Sequence, residues 1–203
     1  KKCVALLLIL LAILPTFSNY ALAATEISSA LVKNGGDCGY HLQFFDTKQN
    51  AWSYIITHYA YYEHDGKQYP AYCLDKDSPG VGTPEAGNQY TVNVNDVIND
   101  VRIWRIAINS YPYQAPESLG VENYLDAFVA TKQAIYCIIY NREPSTYFKG
   151  GDARGEAIKN AIVRLVDIGR NGSQTPVNTD ITTNKIGTFK EDGKYYSQEY
   201  SVN

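Results

Sequence analysis

The chain has 203 residues and a formal net charge of −3. A mildly acidic balance excludes the charge pattern of proteins that bind nucleic acid or anionic membranes, and the length allows one well-buried domain with a tail. Tyrosine is unusually frequent, with 18 Tyr against 6 Phe. Its amphipathic rings pair well across strands and suit a binding surface outside the cell.

The first 23 residues have the organisation of a secretory signal peptide. Lys1 and Lys2 are positive, Ala5–Leu14 is an uninterrupted apolar run, and Ala21–Ala23 has the small-x-small pattern that signal peptidase cleaves. The apolar run is about half of the roughly 20 residues that a membrane span needs, and no later stretch is apolar enough to cross a membrane. We therefore expect cleavage after Ala23, export, and no membrane insertion of the mature chain.

The segment from Tyr40 to Asp75 has the pattern of β-structure. Trp52–Glu63 is dense in Tyr, Ile and Thr, His64–Lys67 is a hairpin turn signal, and Gln68–Leu74 returns as a second strand. This pattern places Cys73 near the end of a strand, just before a loop rich in Gly and Pro.

Three helices are predicted after this loop. Apolar residues at helical spacing indicate Asp96–Asn109 and Glu122–Tyr140, and Asp152 is a plausible N-cap for a third helix that ends at Gly169. The predicted fold class is α+β: an antiparallel, hairpin-rich sheet or sandwich with an appended or inserted helical subdomain.

The C-terminal residues predict the opening of another β-structure. Two polar alternating runs lie around Asp192-Gly193 and have nothing of their own to pack on. We expect a signal peptide at 1–23, a main domain at 24–178, and a linker with a truncated following β domain at 179–203. The chain would then be part of a longer, modular protein.

Most common catalytic motifs do not occur. His41, His58 and His64 do not have a zinc-binding spacing, the cysteines are too far apart for a zinc knuckle, and no phosphate-binding loop precedes a helix. We expect neither a metal nor a cofactor. A pair formed by Cys73 and one histidine would suit a secreted cysteine-dependent hydrolase, although no protease signature surrounds the cysteines.

Two segments carry a more specific signal. Ala71-Tyr72-Cys73-Leu74 on the strand and Ala130–Tyr136, with the sequence ATKQAIY, on the second helix resemble the thioester domains of Gram-positive surface adhesins and pilus-tip proteins. That family has an aromatic-Cys-aliphatic motif followed by a Thr-Gln-x-Ala motif. The resemblance extends over roughly Tyr40 to Arg170.

The resemblance implies an internal thioester between Cys73 and Gln133, formed with loss of ammonia, in a pocket that includes Tyr72, Thr131 and Tyr136. Such a domain is a single-use covalent binder and not a turnover enzyme. Its partner would be a host or environmental surface protein that offers a lysine amine. The resemblance also implies a cell-wall anchor and downstream domains in the same chain.

One residue departs from the family pattern. In a strict alignment on Thr131 and Ala134, the family's Gln position is occupied by Lys132. The helical phase agrees with this alignment, because it places Lys132 in the middle of the apolar stripe and Gln133 on its flank. Two alternatives stay open: Gln133 forms the bond, or the domain is a non-covalent adhesin or pilin module with a degenerate site.

The cysteine count is odd once Cys3 leaves with the signal peptide. If the resemblance reserves Cys73 for the thioester, Cys38 and Cys137 remain as a candidate disulfide. Pairing of any two of the three, or simple burial of Cys137 as a small apolar residue, stays open as well.

Overall fold

The computed structural model describes residues 29–93, 99–176, 183–192 and 195–202. The predicted signal peptide lies outside the described residues. The elements are, in chain order, β1 (Ser29–Asp37), β2 (Leu42–Asp46), β3 (Ala51–Tyr54), β4 (His58–His64), β5 (Lys67–Pro70), β6 (Gln89–Asn93), α1 (Val101–Ile108), a 3₁₀ helix (Pro116–Leu119), α2 (Tyr124–Ile139), α3 (Pro144–Tyr147), β7 (Phe148–Gly150), α4 (Ala153–Asn171), β8 (Thr183–Asp192) and β9 (Tyr195–Val202).

Four strands form the first antiparallel sheet, in the order β5-β4-β1-β6. The hairpin predicted at His64–Lys67 is confirmed: β4 and β5 pair from Tyr61 opposite Pro70 to His64 opposite Lys67. Asp65 and Gly66 form its turn with φ of 49° and 71°. Two consecutive positive φ angles match the twist of a two-residue hairpin, which explains the Asp-Gly pair.

A second antiparallel sheet has the order β3-β2-β7. The predicted single strand Trp52–Glu63 is therefore wrong: β3 pairs with β2 in this sheet, whereas β4 pairs with β1 in the other. The chain changes sheet at residues 55–57, and long-range pairing decides that break. Because β7 returns to pair with β2 after the first three helices, the helical subdomain is inserted, and the α+β prediction is confirmed.

The helices begin where side chains cap them. Asp100 accepts from the Arg102 amide at the start of α1, and Asn123 accepts from the amides of Leu125 and Asp126 at the start of α2. Asp152 caps α4 as predicted, by accepting from the Gly155 amide. Each cap satisfies amides that have no partner within the helix. The observed helices α1 and α2 start later than predicted because Asp100 and Asn123 are the capping residues.

Helix α2 runs through the centre of the core. From Asp126 to Ile138 all of its residues are buried except Lys132. The carboxylate of Asp126 is 1% exposed and accepts from both ends of the Arg154 guanidinium, at 2.9 and 3.2 Å. This pair joins α2 to α4, and the partly exposed Arg154 guanidinium satisfies an Asp126 carboxylate that would otherwise be buried alone.

The C-terminal strands β8 and β9 form an antiparallel two-stranded sheet, with Asp192 opposite Tyr195 at its closed end. The prediction of β-structure around Asp192 is thus confirmed. Among the described residues, no helix has both the length and the apolar character that a membrane crossing requires.

Candidate functional site

A cavity of about 770 Å³ separates α2 from one face of the four-stranded sheet. Alternate residues of β1, β4 and β6 form one wall, and residues of α2 form the other. Cys73 lies in the segment after β5 that completes the wall. The cavity brings both sequence motifs together, because its lining includes Tyr72, Cys73, Lys132, Gln133 and Tyr136.

The sequence pattern predicts that Cys73 lies near the end of a strand. In the structure, Cys73 lies outside the strand, in the segment that follows β5. β5 ends at Pro70, and the following backbone stays beside β4 for one more residue, through a 2.8 Å hydrogen bond from the Ala71 amide to the Ala60 carbonyl. Proline supplies no amide hydrogen, so the ladder weakens at this point. The partly buried Cys73 thiol donates to the Asp75 carbonyl at 3.1 Å.

Tyr140, at the C-terminal end of α2, holds the segment that follows Cys73. Its hydroxyl donates to the Leu74 carbonyl at 3.0 Å and accepts from the Lys76 amide at 2.9 Å. One phenol thus fixes the backbone on the C-terminal side of the thiol against the helix that carries Gln133. No sequence motif predicts this contact.

Tyr72 forms part of the wall beside the thiol. Its ring stacks on Phe128 at 4.8 Å between centroids, and its hydroxyl donates to the Tyr111 carbonyl at 2.7 Å. Burial raises the pKa of Tyr72, so the phenol stays protonated and remains a donor. Thr131 lies behind this wall: it is buried, its hydroxyl donates to the Ala127 carbonyl, and it is not among the lining residues.

Gln133 and Lys132 both line the cavity, although they are consecutive on α2. Gln133 is only 4% exposed, whereas Lys132 is partly buried. The apolar stripe could not separate them, because α2 is buried on nearly every side. Among the side-chain hydrogen bonds of the described residues, none involves the Gln133 carboxamide.

Lys132 is a partly buried cation without an acidic partner among the described ion pairs. Its Nζ lies 5.7 Å from the centroid of the Tyr136 ring. Burial lowers the pKa of Lys132, and the thiols of Cys73 and Cys38 oppose that effect. Burial also raises the pKa of Tyr136, to which the neighbouring Cys73 thiol contributes. Lys132, Tyr136 and Cys73 all line the same cavity.

Thr57 is a lining residue that sequence reasoning missed. It is 2% exposed, and its hydroxyl oxygen has no hydrogen-bond partner within the described part of the chain. A buried hydroxyl without a partner lowers the stability of the fold. The Thr57 hydroxyl can therefore accept or donate a hydrogen bond to a molecule bound in the cavity. A threonine in a β-pattern carries no sequence signal that separates this role from ordinary strand packing.

The candidate disulfide is not formed in the structure. Cys38 and Cys137 are buried free thiols, and burial raises the pKa of each to about 12. Their surroundings differ: the charges that act on Cys38 are those of Lys132, Asp37 and Asp126, and those that act on Cys137 belong to Arg142, Arg170 and Glu143. Thiols with such pKa values stay protonated and unreactive at neutral pH.

The histidines are distributed over separate places. His41 Nδ1 lies 2.6 Å from Asp152 at the start of α4, and His64 lies beside Asp65 in the hairpin turn. His58 lines the cavity, but the hydrogen-bond partner of the Cys73 thiol is the Asp75 carbonyl. Within the described ranges, no group of three or more His, Cys, Asp or Glu residues could hold a metal ion.

The α+β fold thus brings the Cys73 thiol and the buried Gln133 carboxamide to the lining of one cavity. A family model described as "TED: Thioester domain" matches residues 70–171, which include Cys73, Lys132 and Gln133. The chain belongs to the thioester domain family.

Two solved structures are similar to this chain. The thioester domain of the Enterococcus faecium TIE86 protein is 21% identical with a TM-score of 0.61; the match covers 88% of this chain and 62% of that one. The Bacillus anthracis TIE protein is 17% identical with a TM-score of 0.55, covering 86% and 30%. This chain thus spans less than two thirds of either protein. No curated protein matches it.

Proposed function

We propose that this domain forms a thioester between Cys73 and Gln133 and uses it once, to join the protein covalently to an amine of its ligand. The observation that carries the proposal is the shared cavity, in which the partly buried Cys73 thiol and the 4% exposed Gln133 side chain both form part of the lining. Burial of Gln133 protects the acyl carbon from water, and a thioester needs this protection because water would hydrolyse it.

The bonds formed and broken involve only these two side chains and the ligand. The Cys73 sulfur attacks the carboxamide carbon of Gln133, the C–N bond breaks, and ammonia leaves with the thiol proton. A ligand amine later attacks the same carbon, the C–S bond breaks, and the thiol of Cys73 is restored. The carboxamide of Gln133 ends as a substituted amide, so the domain reacts once and is not an enzyme.

The partner and the location follow from the predicted signal peptide and from family membership. The mature chain would act outside the cell, as residues 24–178 of a surface adhesin anchored to the cell wall through a later part of the protein. Residues 179–203 would link this domain to the next. The ligand would be a lysine-bearing protein on a host or environmental surface.

The second candidate is a non-covalent adhesin or pilin module. Lys132 favours it, because a lysine occupies the position at which the strictly aligned family motif has glutamine. An amine cannot donate an acyl group to sulfur, so this alternative requires that Gln133 stays an ordinary carboxamide. The aromatic cavity would then bind its ligand without a bond.

Mass spectrometry of the intact mature protein distinguishes the two candidates. The covalent proposal predicts a mass lower than the sequence mass by one ammonia, after correction for any disulfide, and addition of methylamine on incubation. Cys73→Ala and Gln133→Glu should each show the full mass and ignore methylamine, whereas Gln68→Glu, at an exposed hairpin position, should behave like wild type. A full-mass wild-type protein that does not add methylamine would support the non-covalent module.

A further inference from the structure

Lys132 has no structural explanation in the fold. It is the only residue between Asp126 and Ile138 of α2 that is just partly buried, and it lines the cavity with no carboxylate paired to it among the described ion pairs. Burial of a charge is costly unless a partner or a function requires it. We infer that the Lys132 amine is the proton carrier of this site, serving first in thioester formation and again when the ligand amine attacks. The inference rests on the proposed function.

The placement of Lys132 relative to the thiol supports this role. The aromatic ring of Tyr136 lies 5.7 Å from Lys132 Nζ, and the hydroxyl of the same residue neighbours the Cys73 thiol. Lys132, Cys73 and Gln133 all line one cavity. A base has to serve both the thiol and the leaving nitrogen, and Lys132 lines the same cavity as both groups.

The other cations of the cavity are engaged elsewhere. Lys76 pairs with the Asp77 carboxylate at 2.5 to 2.6 Å, and the Arg142 guanidinium lies over the rings of Tyr140 and Tyr147 at 5.1 and 4.4 Å. Lys132 differs from Lys76 because no carboxylate pairs with it among the described ion pairs, and from Arg142 because an amine can lose its proton whereas a guanidinium cannot. An exposed lysine with a similar ring contact exists in the same protein: Lys149 Nζ lies 5.8 Å from the Trp52 ring.

One carboxylate, that of Asp75, lines the cavity together with Lys132. Asp75 accepts from the Ser78 hydroxyl and from the Asp77 amide, and it forms no ion pair with Lys132 among the described residues. Burial lowers the pKa of Lys132, and only the thiols of Cys73 and Cys38 oppose it. The other ionisable groups of the lining are Cys73, His58, the cations Lys76 and Arg142, and six tyrosines, namely Tyr54, Tyr62, Tyr72, Tyr90, Tyr136 and Tyr147. None of them adds a second carboxylate to this lining.

The proton balance closes in both steps. In the first, the Lys132 amine takes the proton of the Cys73 thiol, the thiolate attacks the Gln133 carboxamide carbon, and the resulting ammonium gives its proton to the departing nitrogen, which leaves as ammonia. In the second, the amine takes a proton from the attacking ligand nitrogen, the C–S bond breaks, and the ammonium returns the proton to the Cys73 thiolate. Lys132 is unchanged at the end of each step.

The pH dependence of methylamine addition to the mature protein, with rates corrected for protonation of methylamine itself, tests the inference. The wild-type rate should rise with pH through an inflection below the ordinary lysine value of 10.5. Lys132→Met and Lys132→Arg should both lose that inflection, with rates near neutral pH lower by about 10²-fold or more. Arginine keeps the positive charge but cannot act as a base. An equal loss of rate in both variants therefore shows that the positive charge at position 132 is not what accelerates the reaction. Lys149→Met is the matched control and should behave like wild type.

Each contrary result is distinct from failure of the proposed function. If the wild-type thioester forms but its rate shows no inflection, or if either folded Lys132 variant keeps the wild-type profile, Lys132 is not the proton carrier. If the wild-type protein has the full sequence mass, the proposed function itself fails. A mass lower by one ammonia that methylamine cannot reverse, together with a Cys73 thiol that reacts with maleimide, would instead mean that the Lys132 amine had captured the acyl group. That outcome overturns the inference as well.

Discussion

The Tyr140 hydroxyl is the contact through which the fold fixes the position of the reactive thiol. Tyr140→Phe removes one oxygen and leaves the ring, which packs edge-on against Tyr136 with 5.5 Å between centroids. Two hydrogen bonds are lost, to the Leu74 carbonyl and from the Lys76 amide. Each contributes about 0.5–1.5 kcal/mol, and water can replace the more exposed bond to Lys76, so we expect a loss of about 1–2 kcal/mol in the free energy of unfolding.

Urea unfolding, followed by tryptophan fluorescence or circular dichroism, measures this loss. The comparison is made in a Cys73→Ala background, so that no thioester contributes to stability. The slope of free energy against urea should stay constant while the midpoint falls. Tyr113→Phe is the control, since Tyr113 is 72% exposed, and should change stability by less than about 0.5 kcal/mol. A Tyr140→Phe loss as small as that of the control would refute the account of how the segment is held.

Two further predictions concern groups of the cavity wall. Lys132→Met should stabilise the protein at neutral pH. The gain should shrink as pH rises from the lowered folded pKa of Lys132 towards the unfolded value near 10.5, because the wild-type unfolded chain binds more protons than the folded one in that range. Urea midpoints at several pH values measure the gain, and a gain that grows with pH would contradict the argument. Thr57→Val removes a buried hydroxyl that has no partner in the described structure and should raise the free energy of unfolding by about 1 kcal/mol; a thermal or urea midpoint lower than wild type would mean that the hydroxyl has a partner in solution.

Local sequence signals identified the elements that short-range chemistry decides. The Asp65-Gly66 turn and the Asp152 cap depend on residues within three positions, and both are found where the sequence predicts them. The split of Trp52–Glu63 into β3 and β4 was not predictable from the segment itself. Pairing of Phe45 with Trp52, and of Lys33 with Tyr61, assigns its two halves to different sheets.

The site was predictable in its residues but not in its details. The resemblance identified Cys73 and the Lys132-Gln133 pair, and the structure brings these residues to one cavity. Helical phase could not rank Lys132 against Gln133, because phase distinguishes faces only when one face of a helix is exposed. Thr57 and Tyr140 belong to the site through contacts with residues distant in the chain, which no local pattern contains.

The central claim is a covalent bond between Cys73 and Gln133, and the most direct measurement is peptide mapping of the native protein. Digestion with pepsin at low pH is required, because trypsin would cut after Lys132 and free an α-amine on Gln133 that can attack its own acyl group. The account predicts a crosslinked species whose mass equals that of a Cys73 peptide plus a Gln133 peptide minus one ammonia, absent after methylamine treatment. Recovery of both peptides only in separate, unmodified form from protein never exposed to an amine would contradict it.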